Sequence, residues 1–172
     1  DSHYGTATSY KTWEEMKATE MLPFEAGIAA GVDVVMTAHI TTPNATADGL
    51  PASLSYTMIT ERLRGELGFQ GVIVTDALGM NAIKKYFAPA ESAVAALYAG
   101  VDVLLMPSDL RAAFDGVVRA VEDGTLSEER LNESVRRVLT LKQKAGLDLC
   151  GSAAAEQLLP EKTPDTKCGF SD

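Results

Sequence analysis

The sequence has no cluster of Lys and Arg, no apolar run near the length of a membrane span, no glycine-rich turn after any candidate strand, and only two cysteines. Each absence removes a class of function. Phosphate backbones and anionic lipid are bound through basic faces, and a chain with 24 acidic against 15 basic residues, a net charge of −9 and a pI near 4.7 offers none. A spanning helix needs roughly 18–20 apolar residues in sequence, so no membrane-spanning segment is expected. Dinucleotide binding is disfavoured because no glycine loop is placed to cradle phosphate. Asp1-Ser2-His3-Tyr4-Gly5 lacks the charged and apolar regions of a signal peptide, and without an initiating Met the chain reads as a fragment. Cys150 and Cys168 both lie in the last 23 residues, with no His or second Cys at ligand spacing, so no metal is expected. They read as plain thiols or, in an exported protein, as a pair across a polar tail.

What is present is the apolar content of one ordinary domain, 46% of 172 residues. Three short runs rich in β-branched residues, at 32–36, 71–75 and 101–106, are bounded by Gly or polar turns as buried strands are. Between the first two, Ser55 is placed to cap a helix with Ile59, Leu63 and Leu67 on one face and Glu61, Arg62, Arg64 and Glu66 on the other, closed by Gly68. Between the second and third, Pro89 opens an Ala-rich helix that Gly100 closes. Ser108 then caps a helix through Leu110, Phe114, Val117, Val118 and Val121. A last helix starts at Ser127, with Glu128 and Glu129 in its positive first turn, Lys142 and Lys144 in its negative last turn, and an apolar stripe of Leu131, Val135, Val138 and Leu139. Residues 13–30 also read as helix, interrupted or restarted at Pro23.

Strand and helix in alternation predict an α/β fold with a parallel sheet. The words Ala30-Gly31-Val32-Asp33-Val34 and Ala99-Gly100-Val101-Asp102-Val103 lie 69 positions apart and favour repeated βα units. An open doubly wound sheet and a closed (β/α)8 barrel compete. A whole barrel takes about 250 residues, so three strands fit only the C-terminal half of one. The domain is assigned to residues 1–147, and 148–172, without periodicity, to an extension or tail.

In either architecture a ligand sits beyond the carboxyl ends of the strands. Thr37 and His39, Thr75 and Asp76, and Pro107, Ser108 and Asp109 occupy those exits. Asp76, ahead of the small Ala77 and Gly79, is placed to attack or bind a ligand, or to cap the next element. His39 either contacts ligand or hydrogen-bonds within its loop. Asp109 reads as a helix-dipole residue, and Asp33 and Asp102, at the opposite ends of their runs, as stabilising. Asp1 stands two positions before His3. In extended chain both point the same way, so the carboxylate can orient the imidazole and support its charged form.

The segment Leu67-Gly68-Phe69-Gln70-Gly71-Val72-Ile73-Val74-Thr75-Asp76-Ala77-Leu78-Gly79-Met80 resembles the nucleophile segment of family 3 glycoside hydrolases, in particular their β-N-acetylhexosaminidase branch. Residues 33–40 with Met36-Thr37-Ala38-His39, the loop Leu50-Pro51-Ala52-Ser53-Leu54-Ser55, residues 99–107 and the Val-Arg-Arg-Val-Leu helix agree in order, over roughly 1–147. The resemblance implies a retaining β-glycosidase acting through a covalent glycosyl-enzyme, with Asp76 as nucleophile and His39 and Met80 against the substrate. The Asp-Ser-His triplet of that branch matches Asp1-Ser2-His3, implying His3 as acid/base held by Asp1. It implies no cofactor, and as partner an N-acetylglucosamine-containing saccharide of peptidoglycan or chitin. The family's Lys-His-Phe-Pro-Gly-His-Gly segment and earlier strands have no counterpart here. The chain is therefore expected to be inactive alone and to need its missing N-terminal half or self-association. A phosphorylase, and a non-catalytic half-barrel that binds sugar, are the alternatives. The cysteine pair and tail lean towards an exported or envelope-associated protein over a cytoplasmic one.

Overall fold

The computed structural model describes residues 5–147; Asp1, His3, both cysteines and the 148–172 extension lie outside the described residues. In order, the elements are β1 (Ala7–Thr8), α1 (Trp13–Lys17), α2 (Leu22–Ala29), β2 (Val34–Thr37), β3 (Ile40–Thr41), a 3₁₀ turn (Ala52–Leu54), a π-helix (Thr57–Glu66), β4 (Val72–Thr75), α3 (Asn81–Lys84), α4 (Pro89–Ala99), α5 (Leu110–Glu122) and α6 (Glu128–Lys144). β2 and β4 pair in parallel with Val34 opposite Val72 and Thr37 opposite Thr75, and Val103 joins β4 through one parallel bridge. β1 and β3 form a separate two-residue parallel pair.

Local chemistry accounts for most boundaries. Thr12 and Glu15 make a reciprocal capping box on α1. Pro23 sits in the first turn of α2, so the helix expected over 13–30 is two helices with the break before proline. The Ser55 hydroxyl accepts from Met58 N–H at 3.1 Å, as its cap position predicts, but the helix it starts is widened to π spacing and ends on a Leu67 N–H to Arg62 carbonyl bond at 2.8 Å. Gly100 closes α4 at φ +114°.

Three expectations are corrected. The run 101–106 is not a regular strand. Asp102 and Val103 N–H both bond the Ile73 carbonyl, as at a bulge, and Leu105 N–H bonds the Thr75 hydroxyl instead of a backbone oxygen. α5 is capped by Asp109, whose carboxylate accepts from Ala112 N–H at 2.9 Å, rather than by Ser108. Its expected apolar face is split: Leu110, Phe114 and Val118 are exposed, Val117 and Val121 are half-buried against Leu97 and Leu126, and Ala113, Gly116 and Ala120 are buried. The close approach to α4 selects small residues, since a Cβ on Gly116 falls 2.4 Å from that of Ala90. On α6, likewise, Val135 and Leu139 are exposed and Ser134 is buried.

The main core lies behind the sheet, where Val35 and Ile73 meet Leu54, Ile59 and Leu63 of the π-helix side and Ala96 and Ala99 of α4. The other face of β2 is bare, with Val34 and Met36 exposed. A smaller cluster joins α1 to the π-helix through Trp13, Met16 and Met58. Around it Glu66 takes hydrogen bonds from the Trp13 indole at 2.7 Å, Lys17 at 2.8 Å and Arg62 at 2.8 Å, and the Arg62 guanidinium stands 5.1 Å from the Trp13 ring centre.

Lys17 first and Arg62 second pull the Glu66 carboxyl from its ordinary 4.5 down to about 2. A folded-state value below the unfolded one stabilises the protein above pH 4.5, and that contribution drains away as pH falls towards 2. Glu66 faces solvent, so the amplitude is modest. The gap in urea midpoint between the parent and Glu66→Gln is expected to be full at neutral pH and to shrink below pH 4.5. A gap that stays constant on acidification refutes the assignment.

Candidate active site

The residues that leave the sheet together are Thr37 at the end of β2 and His39 beyond it, Asp76 after β4, and Met106 at the end of the third run. Asp76 is half-buried. Its N–H donates to the Thr37 carbonyl at 3.0 Å, which carries the β2–β4 ladder one step past the end of β4. Its Oδ1 accepts the N–H of Ala77 at 2.7 Å. It caps no helix, because α3 begins at Asn81 behind Met80.

The turn after Asp76 is fastened from several sides. Leu78, 2% exposed, donates its N–H to the Leu105 carbonyl at 2.9 Å, and Gly79 donates to the Met106 carbonyl at 3.0 Å. The approach at Gly79 is close, a Cβ there lying 3.3 Å from that oxygen. Met106 adopts φ +44°, the left-handed region, without being glycine. Strain of this kind at a strand exit is characteristic of functional rims. Met80 N–H returns to the Ala77 carbonyl at 3.0 Å, leaving Met80 half-buried beside the turn.

His39 is placed at the rim but points inward, only 1% exposed. Its Nε2 lies 3.0 Å from the Ala77 carbonyl and its Nδ1 2.7 Å from the Ser53 hydroxyl. A carbonyl only accepts, so Nε2 carries the proton and the Ser53 hydroxyl donates to Nδ1. Burial lowers the His39 pKa, outweighing the opposing pull of the Ala77 carbonyl and the Asp76 charge. Neither nitrogen is open to a sugar in this arrangement. Nothing in the sequence singles out Ser53, because no local pattern links it to a ring 14 residues away.

Asp33 and Asp102 lie at the far ends of their strands, as expected. Asp33 pairs with Lys144 on the surface, and Asp102 is enclosed by Arg64, Arg130 and Arg137. Among the described residues no group of His, Cys, Asp and Glu is arranged to hold a metal, and no helix is long and apolar enough to cross a membrane. β1 pairs through Ala7 with Ile40, directly after His39, and so lies beside the β2 exit.

An apolar cavity of about 420 Å³ runs along the outer edge of β2, lined by Trp13, Met21, Phe24, Met36, Met58 and Leu63 among others. Val72 N–H bonds the Asp33 carbonyl and Asp76 N–H the Thr37 carbonyl, so odd-numbered residues of this strand face β4. Parallel pairing alternates, which directs the peptide groups of Val34 and Met36 to that outer edge.

A family model described as glycosyl hydrolase family 3 N terminal domain matches residues 1–141. The chain is 34% identical to beta-hexosaminidase A of Pseudoalteromonas piscicida over 179 residues, covering 92% of this chain and 30% of that protein. Among solved structures it superposes on a glycoside hydrolase family 3 beta-N-acetylglucosaminidase from Paenibacillus sp. FPU-7 with a TM-score of 0.83 and 42% identity, over 99% of this chain and 32% of that one. It also superposes on the beta-glucoside phosphorylase BglX with a TM-score of 0.80 and 27% identity, over 91% of this chain and 30% of that one. The chain thus spans about a third of the length of these relatives.

Proposed function

The chain belongs to glycosyl hydrolase family 3, through the TIM-barrel-like N-terminal domain of that family, and from that premise we propose that it carries the nucleophile and acid/base of a retaining β-N-acetylglucosaminidase. The observation behind this reading is the Asp76 carboxylate, half-buried at a parallel-strand exit and held by the next backbone N–H. Ionised Asp76 attacks the anomeric carbon as the glycosidic bond breaks, and His3, oriented by Asp1, gives its proton to the leaving oxygen. His3 then takes a proton from water, which attacks the same carbon, releases Asp76 and restores the β configuration. Met80, next to the Asp76 turn, lines the sugar. The substrates are terminal β-linked N-acetylglucosamine residues of peptidoglycan or chitin fragments.

Phosphorolysis is the second reading, favoured by the likeness to a phosphorylase. There phosphate replaces water against the same covalent intermediate, and an imidazole tolerates that anion better than a second carboxylate does.

Residues 1–147 are proposed to be the C-terminal half of the barrel, completed by the remainder of a longer protein. The bare face of β2, its outer edge, unpaired among the described residues, and the cavity beside it support this, as do the exposed Leu110, Phe114 and Val118. Open edges and contiguous apolar patches are features that folded proteins cover. The test is release of chromophore from an aryl β-N-acetylglucosaminide. This chain alone is expected to be inactive, and the chain joined to the missing half to release N-acetylglucosamine. Sugar 1-phosphate formed only with added phosphate selects the phosphorylase. A monomeric chain of 172 residues that turns over unaided refutes the half-barrel.

A further inference from the structure

His39 and Ser53 are 1% and 0% exposed, and they bond each other beneath a rim that is otherwise open. A buried imidazole needs partners, and this one has two. The informative one is Ala77. Its carbonyl accepts both His39 Nε2–H and Met80 N–H, which occupies its two lone pairs. Its own N–H donates to Asp76 Oδ1. One residue therefore holds the carboxylate at one end and is itself held by the imidazole at the other.

We propose that Ser53 and His39 are positioning residues for Asp76, acting in series: the Ser53 hydroxyl donates to Nδ1, Nε2–H donates to the Ala77 carbonyl, and the fixed Ala77 N–H aims the carboxylate. Neither side chain touches substrate. The chain of bonds is directional because the ring is neutral, one nitrogen accepting and the other donating, and burial favours that form. A displacement of about 1 Å at a reacting group costs on the order of a hundredfold in rate, so a device that pins the residue following the nucleophile is worth that much. The rate consequence rests on Asp76 being the nucleophile; the bonding scheme does not.

Two measurements on this chain test the bonding scheme. Nitrogen-15 spectra at neutral pH are expected to show the His39 proton on Nε2; a proton on Nδ1 overturns the scheme. Amide exchange at Ala77 is expected to be at least tenfold faster in His39→Ala and restored in His39→Gln, whose amide nitrogen reaches the same carbonyl. Ser53→Ala, a milder change that serves if His39→Ala does not fold, is expected to shift exchange the same way by less. Parent-like exchange in the variants overturns the proposal. In the assembled enzyme, His39→Ala is expected to lower kcat about a hundredfold with KM nearly unchanged, and His39→Gln to recover most of it. A raised KM with unchanged kcat indicates a direct sugar contact and also overturns it. If the parent itself has no turnover, the glycosidase reading fails, and the spectra and exchange rates still decide the positioning role.

Discussion

Asp76→Ala is expected to remove covalent capture of a fluorosugar mechanism-based inactivator and to lower turnover of an aryl glycoside by at least about a thousandfold, measured in the chain assembled with the rest of its barrel. The magnitude comes from the role. A group that forms the bond to carbon contributes only in the transition state and the intermediate, so its loss appears in kcat and in kcat/KM together while binding persists. The fold should be little affected, because Asp76 caps no helix, its backbone N–H keeps its bond to Thr37, and among the described residues its side chain has one local acceptor duty, to the Ala77 N–H. Azide gives a second readout. It can enter the space left by the carboxylate and attack the β-glycoside from the same face, yielding the α-glycosyl azide and restoring leaving-group release. A non-catalytic sugar-binding module predicts instead that neither labelling nor rescue occurs in any form. An Asp76→Ala protein that still labels or still turns over near the parent rate removes the assignment.

The strand exits are legible in the sequence because buried parallel strands announce themselves as short β-branched runs between glycines, and ligand sites in such folds lie past their carboxyl ends. Asp76 stands where that logic puts it, and the bend after it uses the small residues at 77 and 79 as expected. The departures share a cause: side chains doing what the backbone or apolar contact is expected to do. The third run has the composition of a strand, but Asp102 and the Thr75 hydroxyl occupy bonds a regular ladder needs. On α5, apolar residues at helical spacing suggest a core-facing stripe, whereas the helix approaches α4 so closely that the small Ala113, Gly116 and Ala120 are what it buries, with Val117 and Val121 at the margin and Leu110, Phe114 and Val118 outside. No local pattern marks Met106 at φ +44°, where Gly or Asn is the residue a sequence reader looks for. The Ser53–His39–Ala77 connection joins three segments and is invisible to any window along the chain.

Asp102→Ala is expected to cost about 3–5 kcal/mol of unfolding free energy, and Asp33→Ala at most about 1 kcal/mol. The two aspartates occupy the same place in the repeated Ala-Gly-Val-Asp-Val word, so the contrast isolates environment from sequence. The Asp33 carboxylate is 47% exposed and meets Lys144, itself 63% exposed. That of Asp102 is 0% exposed. Its Oδ2 accepts from Arg64 at 2.6 Å and Ile73 N–H at 2.9 Å, and its Oδ1 from Ser134 at 2.7 Å and Arg137 at 3.0 Å, with Arg130 at 3.6 Å. These partners tie β4 and the end of the π-helix to α6. Burial already lowers the pKa of Arg64 and Arg130, and each is further opposed by Arg137, so the carboxylate is what makes three neighbouring guanidiniums tolerable. Deleting it leaves the mostly buried Arg64 without a carboxylate partner, leaves Arg130 and Arg137 only the more distant Glu133 at 3.8 and 3.6 Å, and orphans the Ile73 N–H. Asp102→Asn keeps the volume and one acceptor but not the charge, and most of the loss is expected to remain. Urea unfolding of the three variants checks this; an Asp102→Ala protein within about 1 kcal/mol of the parent shows that water or rearranged arginines replace the carboxylate and that the cluster is not a structural anchor.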